Sequence, residues 1–192
     1  MANWRFKEIV VMAALSVVFG VVYLAFLPLG GVLVGFFGPI GYDFIFGIWF
    51  IVSIIAAYII RKPGAAFLSE TIAAMVEVLI GNAIGPMLIV TGMVQGLGAE
   101  AAFAATRWKN YSVWILMAAG VGSAVTSFIY GYFMSGYAAL APGYVTAMFI
   151  VRMISGALIA GLLGKALSDG LAQTGVLSSF ALGKEYRKKN AA

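Results

Sequence analysis

The sequence predicts an all-α integral membrane protein, and three observations carry that reading. Of 192 residues, 63% are apolar and only 10% charged, with a mean hydropathy of +1.03. A soluble domain carries roughly 25% charge, so this chain has too little polar surface to cover itself. The apolar residues fall in continuous runs of roughly 20, the length that crosses a bilayer as a helix, and not in alternating strands of about ten. Charges sit in short clusters between those runs.

Six transmembrane helices follow in order. The first covers 9–27 and ends at Pro28, Gly30 and Gly31. The second covers 40–60 and is stopped by Arg61, Lys62 and Pro63. The third, 64–81, is barely long enough to span; Gly85 and Pro86 then open the fourth, 86–106. The fifth and sixth are 113–134 and 144–167, and 168–192 is a short amphipathic piece with a basic cytoplasmic tail. All belong to one domain. Between the first two helices, LGGVLVGFFGP (29–39) is uncharged and Gly-rich. It is too short to span and too apolar for a free loop, and it reads as a lid or re-entrant cap on the outer side. The alternative is that it extends helix two.

Orientation follows from the basic residues. With the N-terminus inside, the cytoplasmic side receives Arg5, Lys7, Arg61, Lys62, Arg107, Lys109, Lys165, Lys184, Arg187, Lys188 and Lys189, and the twelfth basic residue, Arg152, lies within helix six. Both termini are therefore expected in the cytoplasm, with the protein multi-pass in the cell membrane. Arg5 and Lys7 before an apolar stretch look like a signal peptide. The core is too long, however, and no small-x-small cleavage site follows, so the first span is expected to stay. Trp4, Trp108 and Trp114 fall at the inner headgroup level.

Whole classes of chemistry drop out. There is no Cys and no His, hence no thiol nucleophile, no imidazole base, and no metal site or catalytic residue to nominate. The net charge of +5 is a topology pattern and not a nucleic-acid stripe. Gly164-Lys165 is followed by Ala166, with Ile159 where a Walker A glycine belongs, so the chain carries no ATPase motif. An enzyme is not expected.

Ionisable groups inside the membrane need a reason, because each costs about 2.5–3.5 kcal/mol to insert at the centre of a helix. Asp43 lies near the outer end of helix two, Glu77 in the outer half of helix three, and Glu70 two turns deeper on the same face. Glu100 is at the depth of Glu70, and Arg152 at that of Glu77. Four carboxylates facing one arginine leave negative charge for a cationic ligand to match. Asn82, Gln95, Trp49, Tyr130 and Tyr137 gather on the same outer side, with Tyr42, Tyr144, and a Ser123, Ser127, Tyr130, Met134 stripe on helix five. Carboxylates with aromatics describe a box for a flat aromatic cation. For each group taken singly, helix packing or a buried hydrogen bond explains it as well. Arg152 has two readings, contact with a phosphate on the ligand or pairing with Glu77, and the pairing is the one expected. Ala13, Ser16 and Gly20 form a small-residue face on helix one that suits a partner membrane protein, and Gly92, Gly96 and Glu100 form another on helix four.

Two stretches carry a family likeness. FLSETIAAMVEVLIGNAIGP (67–86) and VQGLGAEAAFAATRWKNY (94–111) resemble the YkoE-type substrate-binding S components of energy-coupling factor (ECF) vitamin transporters. The resemblance implies a binding subunit for thiamine or its hydroxymethylpyrimidine precursor, with no cofactor of its own. It also implies a transmembrane coupling protein and paired ATPase subunits as partners, with helix one in the contact surface. The other reading from the residues is a self-sufficient proton-coupled carrier for a small organic cation, using Glu70, Glu77 and Glu100 as its path. The lack of an internal repeat weighs against it.

Overall fold

The computed structural model describes residues 4–190, so the last two residues of the 168–192 tail lie outside the described residues. It is an all-α multi-pass membrane protein. We label the elements α1 (Phe6–Phe37), α2 (Ile40–Ile60), α3 (Ala65–Leu79), α4 (Met87–Ala105), α5 (Val113–Met134), α6 (Pro142–Gln173) and α7 (Ala181–Asn190). Among the described residues, α1, α2, α4, α5 and α6 are long and apolar enough to cross a bilayer. Helix α3 has 15 residues, about 22 Å at 1.5 Å per residue.

Helix α2 is the centre. Its second half, Ile51–Ile60, is apolar apart from Ser53 and the Tyr58 hydroxyl, and all ten residues are buried, as expected for a helix walled in by others. Around it, α1 packs on α3, α3 on α4, α4 on α5 and α5 on α6, while both α1 and α6 also touch α2. Glycines set the close approaches. A Cβ at Gly96 would lie 2.9 Å from Phe67 Cα, and one at Gly156 would lie 2.6 Å from the Gly120 carbonyl oxygen. The small faces of α4 and α5 are thus spent on their neighbours within the chain.

The segment 29–37 is not a separate cap. It continues α1 without a break through Pro28. Pro28 removes a single hydrogen bond, whereas ending the helix there would strand several backbone groups. The extension packs on the start of α2: a Cβ at Gly30 would strike the Tyr42 ring, and one at Gly41 the Leu33 carbonyl. The chain reverses at Gly38, whose φ of 72° favours glycine. Tyr144 of α6 then clamps the turn, accepting from Ile40 N at 3.0 Å and donating to Phe37 O at 3.3 Å.

Two helices depart from regular α geometry where they meet. Residues Phe46–Phe50 of α2 form a 3₁₀ turn and Gly156–Leu163 of α6 a π segment. Such interruptions free backbone groups, which side chains then satisfy. Gly47 N donates to Ser155 Oγ at 3.0 Å and Val52 N to the Tyr23 hydroxyl at 3.0 Å. The interruption turns Phe46 and Trp49 inward.

The described part of the basic end packs on the bundle. Leu177, Phe180 and Leu182 are buried, and Glu185 of α7 bridges Arg61 at 2.7 Å and Lys189 at 2.9 Å. The Lys189 hydrogen bond, reinforced by Arg61, holds the Glu185 carboxyl below its ordinary range. Glu8 joins Lys62 at 2.6 Å and Arg5 at 2.7 Å.

The face of α1 assigned to a partner turns the other way. Ser16 and Gly20 are buried, and a Cβ at Gly20 would sit 2.9 Å from both the Ala73 carbonyl oxygen and Val76 Cβ. With Ala13 half-buried beside them, these residues belong to the α1–α3 contact. Small residues signal a close approach but not which helix makes it. The exposed side of α1 carries Val10, Val17, Val18 and Val21 instead. Gly20→Val is expected to lower stability by about 1–3 kcal/mol through overpacking, and Val17→Ala to leave it within about 0.5 kcal/mol. Thermal unfolding in detergent checks both; equal effects would contradict the orientation of α1.

Candidate substrate-binding site

A cavity of about 280 Å³ opens between α1, α2, α3 and α4. One wall is acidic and amide-bearing, with Glu70, Glu77, Asn82 and Gln95; the other is aromatic, with Tyr42, Phe46 and Trp49. Leu27, Ile84, Leu88 and Thr91 are among the other residues that line it. Five of the residues nominated from sequence (Glu77, Asn82, Gln95, Trp49 and Glu70) thus meet in one place.

Each is held by its local structure. After α3 the chain turns through Gly81 and Gly85, both with positive φ, and Asn82 organises that turn. Its Nδ2 donates to Glu77 Oε1 at 3.0 Å, while its Oδ1 accepts from Ile84 N at 3.0 Å. One Glu77 oxygen is thereby fixed by Asn82, and the residue lines the cavity. Glu70, two turns along α3, accepts from the Tyr23 hydroxyl at 3.2 Å. Trp49 donates from Nε1 to the Tyr23 carbonyl oxygen at 3.1 Å, which locks the indole plane. Its ring lies 5.6 Å from Tyr42 and 5.9 Å from Phe46. Gln95 lies on α4, where Ser123 Oγ donates to its main-chain carbonyl oxygen at 2.8 Å.

A second chamber of about 260 Å³ adjoins the first, sharing Phe46, Ile84, Leu88 and Thr91 with it. Tyr130 and Tyr137 line this chamber, together with Ser127 and Arg152. Asp43 lines neither. It is fully buried and paired with Arg152, Nε to Oδ1 at 2.6 Å. Arg152 therefore pairs with Asp43 and not with Glu77. Depth along the membrane placed Arg152 beside Glu77, but α6 packs on α2 and not on α3.

Residues 7–126 match the family model described as "ABC-type cobalt transport system, permease component". The chain is 66% identical over 189 residues to the "Putative HMP/thiamine permease protein YkoE" of Bacillus subtilis (strain 168), covering 98% of this chain and 95% of that protein. It superposes on a crystal structure of an S-component of an ECF transporter with a TM-score of 0.96 at 65% identity, covering 98% of this chain and 96% of that one. The chain belongs to the S components of ECF transporters. It is a transport protein and not a catalyst.

In this S component, Glu100 stands apart from the cavity. Its carboxylate accepts from Gly64 N at 2.7 Å, Ala66 N at 3.0 Å and Phe67 N at 3.3 Å, and from Trp108 Nε1 at 2.6 Å. It thereby caps α3 from a neighbouring helix, satisfying N–H groups that have no partner within α3. A proton path through Glu70, Glu77 and Glu100 loses its last member. Glu100→Gln is expected to lower stability by about 1–3 kcal/mol while leaving ligand affinity unchanged. Parallel unfolding and binding measurements check this, and a loss of affinity in folded protein would contradict the assignment.

Sequence reasoning missed Tyr23 and Phe46. Tyr23 is a lone hydroxyl within an apolar run; its three partners, Glu70, Trp49 and Val52, lie on α3 and on two different turns of α2. Phe46 reads as one more lipid-facing aromatic until the 3₁₀ turn places it between the two chambers.

Proposed function

We propose that this S component captures thiamine or its hydroxymethylpyrimidine precursor from outside the cell for an ATP-driven importer. The observation that carries the reading is the cavity itself, with Glu77 and Glu70 across from Trp49, Tyr42 and Phe46. Thiamine joins a flat aminopyrimidine to a permanently cationic thiazolium. Carboxylates pair with the cation or accept from the amino group, and the rings stack. The name of the 66% identical relative, an HMP/thiamine permease, supports the same ligand class.

The topology that goes with this reading has six spans, α3 included, with both termini cytoplasmic. Arg5, Arg61, Lys62, Lys165 and Lys189 all lie at one end of the bundle in ion pairs, in keeping with the positive-inside bias. The cavity then faces the outer half. Without an ATPase motif, the subunit binds and does not pump; a transmembrane coupling protein and ATPase subunits supply the work. The exposed valine face of α1 is the side open to such a partner. Mass spectrometry of ligand retained through purification tests the reading. Thiamine or the pyrimidine is the expected mass, and an unrelated compound in the cavity would overturn it.

A further inference from the structure

The second chamber is polar in a way that capture of a flat cation does not use. Arg152 is 1% exposed, yet it forms part of the chamber wall. Its Nε donates to Asp43 and its Nη2 donates to the Tyr137 hydroxyl at 3.0 Å. Phe46 lies 3.7 Å from the guanidinium, ring centroid to Cζ, as the partition between the chambers. Tyr130 lines the same chamber, and its hydroxyl is buried and has no hydrogen-bond partner among the described residues. Folded proteins rarely leave such a group unanswered.

A guanidinium alone here would recruit a phosphate. Asp43 removes that option. It neutralises Arg152, and its own Oδ2 is buried without a partner. The pair offers a dianion no net positive charge, and the nearby carboxylate repels it from behind the guanidinium. A neutral hydroxyl meets no such penalty. It accepts from the uncommitted guanidinium N–H groups and donates to the Tyr130 oxygen, or accepts from it.

We propose that this chamber takes the hydroxyl-bearing arm of the ligand, and that the Asp43–Arg152 pair makes the protein select the free alcohol over its phosphate ester. The proposal rests on the thiamine or hydroxymethylpyrimidine reading and adds a specificity to it. Tyr130 and Arg152 touch the arm, while Asp43 is a positioning residue that acts through Arg152.

The test is a set of dissociation constants on the full chain for thiamine, thiamine monophosphate and a thiamine analogue lacking the terminal hydroxyl. Wild type is expected to prefer thiamine over the monophosphate by at least about tenfold, and Asp43→Asn to erase most of that ratio by tightening the ester. Tyr130→Phe is expected to weaken thiamine about fivefold and leave the analogue unchanged. Should Asp43→Asn fail to fold, the wild-type ratio and Tyr130→Phe decide the matter. Equal affinity for alcohol and ester in wild type, an unchanged ratio in folded Asp43→Asn, or equal loss of both ligands in Tyr130→Phe would each overturn the proposal. Failure of wild type to bind thiamine or the pyrimidine at all would overturn the parent reading, and this one with it.

Discussion

Glu77→Gln is expected to weaken thiamine binding by about 1.5–3 kcal/mol, the scale of a charge-assisted hydrogen bond, or roughly ten- to a hundredfold in affinity. The substitution keeps size and leaves an acceptor for Asn82 Nδ2, so the turn at 80–86 holds. What it removes is the charge proposed to pair with the thiazolium. Glu70→Gln has a smaller effect, because that carboxylate already receives the Tyr23 hydroxyl. Titration calorimetry on detergent-purified variants measures both, and an unchanged affinity for folded Glu77→Gln would move the charge recognition to Glu70.

Arg152→Met is expected to be the most destabilising single change, by about 3–5 kcal/mol, since it abandons Asp43 as an unpaired charge in a fully buried site. It also strips the Tyr137 hydroxyl of its donor. The double variant Arg152→Met/Asp43→Leu is expected to regain most of the loss, because a removed ion pair costs far less than a broken one. Unfolding midpoints in detergent provide the comparison. A single variant within about 1 kcal/mol of wild type would show that the pair does not hold α2 to α6.

Composition and run length were enough to read the membrane class and the order of helices, because a bilayer forces apolar stretches of fixed length. The boundaries failed where rules learned in water were applied. Pro28 and Gly30 read as a stop, but Gly30 is there so that Tyr42 can approach α1. Depth along each helix grouped Glu77, Asn82 and Gln95, which line one cavity because they lie on adjacent elements joined by a short turn. It could not say which helices are neighbours, so Arg152 was matched to the wrong carboxylate. The Ser16 and Gly20 face was likewise sent outward when α3 already covered it. Tyr23 escaped notice because its partners lie 26, 29 and 47 residues away.

Tryptophan emission during a thiamine titration tests the ligand and its location together. Trp49 is in the cavity wall, whereas Trp4, Trp108 and Trp114 are not among the residues that line it. Wild type is expected to quench saturably at submicromolar thiamine, and Trp49→Phe to lose most of that quench. No saturable change with thiamine or hydroxymethylpyrimidine up to millimolar concentration, in folded wild-type protein, would contradict the assignment of this cavity as a vitamin-capture site.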